Sequence, residues 1–160
     1  MKQINLQKSY FGRITQILSV GLIVCFLAGS IKAAPGDLDP TFDSDGKVTT
    51  DFSMVNDGAS AVAVQSDGKI VAVGNAGQVD FAVARYNTDG SLDTSFDGDG
   101  KIVTQIGSSS GAFSVAIQMD GKIVAAGFSN VSLSSYDFTL VRYNSDGSLD
   151  TLFDGDGIVK

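Results

Sequence analysis

The chain has 160 residues and a net charge of −7, and all 18 of its acids are Asp. Asp favours turns and disfavours helix interiors, where Glu would serve, so the acid choice alone points away from helices. His and Trp are absent and the one Cys is Cys25, which excludes a Ser-His-Asp triad and His- or Cys-ligated zinc.

Residues 1–33 read as a secretory signal. Lys2, Lys8 and Arg13 form a positive start, Ile17 to Ala28 is a short apolar run, and Ile31-Lys32-Ala33 suits cleavage beside a small residue. The apolar run is short for a membrane span, so cleavage is expected, with an uncleaved anchor as the alternative; after cleavage no membrane insertion is expected, and the destination is extracellular, cell-surface or periplasmic. Residues 34–160 then carry seven basic residues against 18 acids, a net charge of −11. Such a surface repels nucleic acid and anionic headgroups. With Cys25 gone, no disulfide or thiolate nucleophile is available, and stability must come from packing or bound ions.

One phrase then occurs three times: Leu38-Asp39-Pro40-Thr41-Phe42-Asp43-Ser44-Asp45-Gly46, again from Leu92 to Gly100, and again from Leu149 to Gly157. The Leu positions lie 54 and 57 residues apart, and the residues between them match too. A period of this size marks a unit that buries its apolar surface against copies of itself. It divides 34–160 into units of about 38–91 and 92–148, with 149–160 opening a third.

Within a unit the apolar pattern alternates or runs continuously over a few residues, as strands require. Four strands are expected: first 47–52 and 101–106, second 61–65 and 114–118, third 69–74 and 122–127, fourth 81–87 and 138–144. Asp67-Gly68 and Asp120-Gly121 join second to third strands, and the spacing predicts a two-residue type I′ hairpin. The strands alternate small and large apolar residues on both faces, as in Ile70-Val71-Ala72-Val73. The fold class is therefore all-β: tandem four-stranded antiparallel meanders, stacked face to face like the blades of a β-propeller. Residues 88–100 are long enough to cross from the outer edge of one blade to the inner edge of the next, with Leu92 and Phe96 as anchors.

The pattern AVAVQ-x-DGKIVAVG followed by DFAVARYN-x-DGSLD-x-x-FD-x-DG resembles the delta-60 repeat of bacterial secreted proteins, over essentially all of residues 37–160. The resemblance implies β-propeller units and export, without an assigned activity and without catalytic residues to transfer. The third copy departs from the pattern, with Ile158 where the Lys of Gly-Lys would follow Gly157. A propeller needs four to eight blades. Further repeats or self-association are therefore expected, with residues 158–160 forming an unpaired first strand.

Two loops differ in length between the units, and in a meander both open at one end of the blade. This variable rim (53–58, 75–79, 107–112, 128–136) is the expected ligand surface, with Asn75, Gln78, Asn130, Ser134 and Tyr136 as candidate contacts. The opposite rim keeps its length and carries Asp93, Asp97 and Asp99. These clustered hard oxygens are calcium candidates. They lack the closing Glu of an EF-hand loop, and the alternative is that they supply turn hydrogen bonds. Arg85 and Arg142 recur between apolar neighbours and should pair with an Asp, with Asp80 and Asp137 as candidate partners.

Three function classes follow, in this order. The first is a structural or interaction module within a larger propeller. The second is a lectin-like propeller that binds a carbohydrate or peptide. The third is a hydrolase or lyase using Asp alone, which would need a site that breaks the repeat, and no such cluster stands out.

Overall fold

The computed structural model describes residues 34–77, 79–132 and 135–160. The expected signal at 1–33, Gln78 and Ser134 lie outside the described residues. Eight strands form two antiparallel sheets. Sheet 1 runs β1 (Gly58–Val64), β2 (Ile70–Ala76), β3 (Asp80–Tyr86) and β4 (Lys101–Thr104), in that spatial order. Sheet 2 repeats the order with β5 (Ser109–Ile117), β6 (Ile123–Ser132), β7 (Ser135–Tyr143) and β8 (Ile158–Val159). The second, third and fourth strands of each unit stand where the alternation put them.

The first strand of each unit behaves differently from expectation. Residues 101–104 do not open a new sheet. They close the sheet before, pairing with β3 in the register Phe81↔Thr104 to Ala84↔Lys101. The segment 88–100 is therefore a return loop at one edge and not a crossing between blades. Bonds across the loop set its path: Asn87 N donates to Ser91 O, Leu92 bridges Tyr86, and Arg85 N donates to Gly100 O. Phe96 is fully buried beneath this loop, as an anchor must be. The step to the next sheet is short, made by residues 105–108. Likewise Ile158 and Val159 are not unpaired, since they bond β7 opposite Val141 and Leu140. Residues 47–52, by contrast, form no strand.

The Asp-Gly hairpins also differ in detail. Gln65 N donates to Lys69 O, Gly68 N donates to Gln65 O, and only Gly68 has positive φ (85°). The loop is thus three residues, Ser66-Asp67-Gly68, a type I turn closed by a left-handed Gly, and not a two-residue type I′ turn. Gln118 to Lys122 repeat it. Asp67 keeps negative φ, which an L-residue adopts at no steric cost, and its carboxylate instead accepts from Lys69 N at 3.1 Å.

The core lies between the sheets. Register places Val71, Val73, Val83 and Ile102 on one face of sheet 1, here called its leading face. They pack in one cluster with Ile123, Ala125, Val141 and Tyr143, which share the trailing face of sheet 2. Each of the Val and Ile side chains among them contributes about 1.5–3 kcal/mol by leaving water. At the edge of this interface Thr104 Oγ1 and Tyr143 Oη share a buried hydrogen bond of 2.7 Å. Gly127 has a steric reason: a Cβ there would lie 1.9 Å from the Gly111 carbonyl oxygen, where β5 bulges between Ala112 and Ser114. Gly74 meets Gly58 in the same way at the bulge of β1.

Candidate functional site

The rim that carries the Asp-rich phrase is built around one carboxylate per repeat. Asp93 Oδ2 accepts from Arg85 Nε at 2.6 Å and from Lys69 Nζ at 2.8 Å. Its Oδ1 accepts from the amide and hydroxyl of Ser95 at 3.1 and 2.7 Å. Burial pushes the Asp93 carboxyl up, but the hydrogen bonds from Lys69, Ser95 and Arg85 together outweigh it and hold it well below the ordinary carboxylate range. The second unit repeats the arrangement: Asp150 Oδ2 accepts from Arg142 Nε at 2.6 Å and from Lys122 Nζ at 2.9 Å. The hydrogen bond from Lys122 leads in lowering the Asp150 carboxyl. The guanidinium of Arg85 also lies 4.5 Å over the Phe96 ring, and that of Arg142 lies 4.3 Å over Phe153.

The Arg partners are thus Asp93 and Asp150, not Asp80 and Asp137. The physical reason is the return loop, which carries Asp93 back over β3 eight residues after Arg85. Asp80 sits buried at the start of β3, and burial pushes its carboxyl up. Of the calcium candidates, Asp93 is committed to four donors, and Asp99 Oδ1 accepts from Lys101 N at 2.9 Å. Asp97 holds φ at 50°, and its amide donates to Asp146 O of the next repeat. The three carboxylates do not converge, and among the described residues no group of three acids, His or Cys is placed to hold a metal.

Sequence reasoning missed the role of Lys69 and Lys122 as second cations on each carboxylate. The signal was present, because Lys follows the Asp-Gly turn in both copies. Arg85 also reaches beyond its own sheet: Nη1 donates to the Ser145 carbonyl at 2.6 Å, pinning sheet 1 to the turn after β7.

At the opposite rim the loops of variable length do come together. Asp57 accepts from Phe52 N at 2.8 Å and from Gly77 N at 3.1 Å, so the loops before β1 and after β2 share one carboxylate. Ser110 N and Oγ both donate to Val79 O, joining the rims of the two sheets. Between them opens a groove of about 540 Å³, lined by Asn56, Asp57, Asn75, Ser110, Phe113 and Phe128 among others. Asn75 therefore reaches the groove, with its amide 3.4 Å from the Asn56 carbonyl. Asn130 lies outside the groove lining and is held by its backbone, its carbonyl accepting from Ser108 N. Tyr136 is exposed and meets Phe128 edge to face, and Phe128 stacks on Phe113 with centroids 5.3 Å apart. Phe113 was not foreseen, because it occupies the bulge position where the first unit has Ser60. The four extra residues after β6 do not make a free loop: β6 and β7 extend to meet at Ser132↔Ser135.

With this geometry in place, residues 65–96 and 118–153 each match the family described as a domain of unknown function (DUF5122) beta-propeller. The two matched segments are equivalent parts of the two repeats, each covering two hairpin strands and the return loop. The match supports a β-propeller repeat family, in agreement with the two antiparallel sheets. No curated protein and no solved structure matches the chain.

Proposed function

We propose that the chain is an exported structural or interaction module, a section of a larger propeller with repeats of the delta-60 type. The observation that carries this reading is how the repeated polar residues are spent. Arg85, Lys69 and Asp93, with their counterparts Arg142, Lys122 and Asp150, are bonded to one another within the scaffold. They brace the return loop and leave the acids no shared reacting centre. Groups that recur copy by copy and satisfy each other serve architecture, whereas a catalytic site needs groups free to meet a substrate.

A second reading is favoured by the variable rim. Its groove joins amide and carboxylate groups of Asn56, Asp57 and Asn75 to the faces of Phe113 and Phe128. Flat aromatics beside planar polar groups suit a sugar or a short peptide. The test is a glycan and peptide array probed with the full chain and with Asn75→Ala and Phe113→Ala. Binding lost in both variants supports the lectin-like reading, and its absence leaves the structural role alone. Turnover abolished by substituting one Asp, but untouched by substituting its repeat counterpart, would overturn both in favour of an enzyme. Export is tested by fusing a reporter that is active only outside the cytoplasm after residue 33.

A further inference from the structure

Three aromatic side chains at the variable rim have no counterpart in the first unit. Phe113 stands where β1 has Ser60, Phe128 where β2 has Asn75, and Tyr136 where the turn before β3 has Val79. Phe113 and Phe128 stack with 28° between their planes, and Tyr136 meets Phe128 at 72° with centroids 5.4 Å apart. The repeat does not ask for these rings, because the first unit folds with a hydroxyl, an amide and a small aliphatic group in their place. Nor does a neighbouring sheet close over the positions. Sheet 2 stands against sheet 1, yet Ser60 stays exposed, Asn75 half-buried and Val79 39% exposed. Phe81, by contrast, is 0% exposed under sheet 2, so the face that carries its counterpart Phe138 is a packing face. The groove at this rim lies between the two units. The first contributes Asn56, Asp57 and Asn75, and the second contributes Ser110, Phe113 and Phe128.

The charge of the groove is one-sided. Among the described residues that line it, Asp57 alone is charged, and the loops 53–58, 75–79, 107–112 and 128–136 contain no Lys or Arg. The Asp57 carboxylate is fixed in place by Phe52 N on Oδ2 and Gly77 N on Oδ1. A carboxylate accepts about four hydrogen bonds, so it has room for further donors. Asn75 spends its amide nitrogen on the Asn56 carbonyl, which leaves Oδ1 beside Gly58 as another acceptor. Elsewhere the chain joins a carboxylate and a phenyl face through an arginine. Arg85 bonds Asp93 and lies 4.5 Å over Phe96, and Arg142 bonds Asp150 and lies 4.3 Å over Phe153. The groove brings together the same two kinds of partner with no arginine of the chain's own in its lining.

We propose that this groove is a docking site for an arginine side chain of a partner peptide. The guanidinium stacks on Phe113 and turns its N–H groups toward Asp57 and Asn75 Oδ1. It suits this set better than an ammonium does, because it is planar, stacks on a ring and is more weakly hydrated. The net charge of −11 on residues 34–160 draws a basic segment toward the surface. A neutral sugar would use the ring faces but gain nothing from that charge. This assignment rests on the groove being a ligand site, the second reading above, and narrows what it takes.

The test is fluorescence anisotropy with the full chain and a labelled, arginine-bearing Gly-Ser peptide at low salt. A second probe carries citrulline in place of arginine, which keeps the shape and removes the charge. The arginine peptide should bind at least about tenfold tighter than the citrulline peptide. Phe113→Ser gives an exposed position the side chain of Ser60, and should weaken binding at least about fivefold with unchanged circular dichroism. Asp57→Asn should weaken it at least about tenfold, while Asp97→Asn on the opposite rim leaves it unchanged. Phe113→Ser decides even where Asp57→Asn loosens the loops that Asp57 joins. Equal affinity for the two peptides, or affinity that Phe113→Ser does not lower, overturns the proposal. Equal losses in Asp57→Asn and Asp97→Asn would reduce the binding to general charge attraction and also overturn it. Glycans or uncharged peptides that bind the wild type, and are lost in Asn75→Ala and Phe113→Ala while the arginine peptide is ignored, would overturn the arginine assignment and keep the ligand-site reading. Binding of no probe at the groove overturns both.

Discussion

Sheets 1 and 2 are built from nearly the same residues, yet they bury them differently. Phe81 is 0% exposed and Phe138 73%; the Arg85 side chain is 6% exposed and that of Arg142 20%. The reverse holds on the other face: Val62 and Val64 are exposed on sheet 1, while Val115 and Ile117 pack against the core from sheet 2. Local sequence does not account for this, because the compared positions carry the same or similar residues: Phe81 and Phe138, Arg85 and Arg142, Val62 and Val115, Val64 and Ile117. What differs is which neighbour is present. A blade holds its apolar surface on two faces and depends on the blade to either side to cover them.

The largest expected contrast is between equivalent Phe residues. Phe81→Ala should cost about 3–5 kcal/mol in denaturant melts, and Phe138→Ala less than about 1 kcal/mol. Equal losses would show that sheet 1 does not owe its core to sheet 2. Next come the arginines. Arg85→Ala leaves Asp93 buried beside a single cation and removes the Ser145 tie, so a loss of about 3 kcal/mol is expected. Arg142→Ala, lacking the inter-sheet tie, should cost less, about 1–2 kcal/mol.

Acid sharpens the same comparison. The Asp93 carboxyl is depressed on folding, so its contribution is complete above the unfolded carboxylate range and is lost as pH falls below about 4. Thermal melts should therefore weaken below that pH. Asp93→Asn should start lower at neutral pH and decline less steeply in acid. An unchanged acid slope would mean that Asp93 is not held as the ion pair describes. Calcium in place of chelator should leave the melting temperature unchanged, because Asp93 is filled by Arg85, Lys69 and Ser95. A calcium-dependent rise that Asp97→Ala or Asp99→Ala removes would restore a metal role. Smallest of all, Asp80→Asn should stabilise by less than about 1 kcal/mol at neutral pH, since burial disfavours the charged form of Asp80.

The strands were legible because alternation and Asp-Gly punctuation are local signals. Pairing was not. Lys101 to Thr104 read as the start of a new unit because sequence repeats mark a period but not where a sheet is cut from it. The cut depends on the return loop, whose Gly100, Leu92 and Arg85 bonds are non-local. The same loop hid the Arg partners: Asp80 is nearer in sequence, but Asp93 is brought back over β3. At the rim, Asn75 lines a groove whose other wall holds Phe113, and Phe113 was invisible because its position in the first unit is Ser60. Gln78 and Ser134 lie outside the described residues.

The neighbouring sheet, and not the strand sequence, buries each blade. Hydroxyl-radical footprinting of the dilute full chain, read by mass spectrometry at Phe81 and Phe138, tests it most directly. Phe138 should be modified many times faster than Phe81, and equal rates at the two positions would contradict the account.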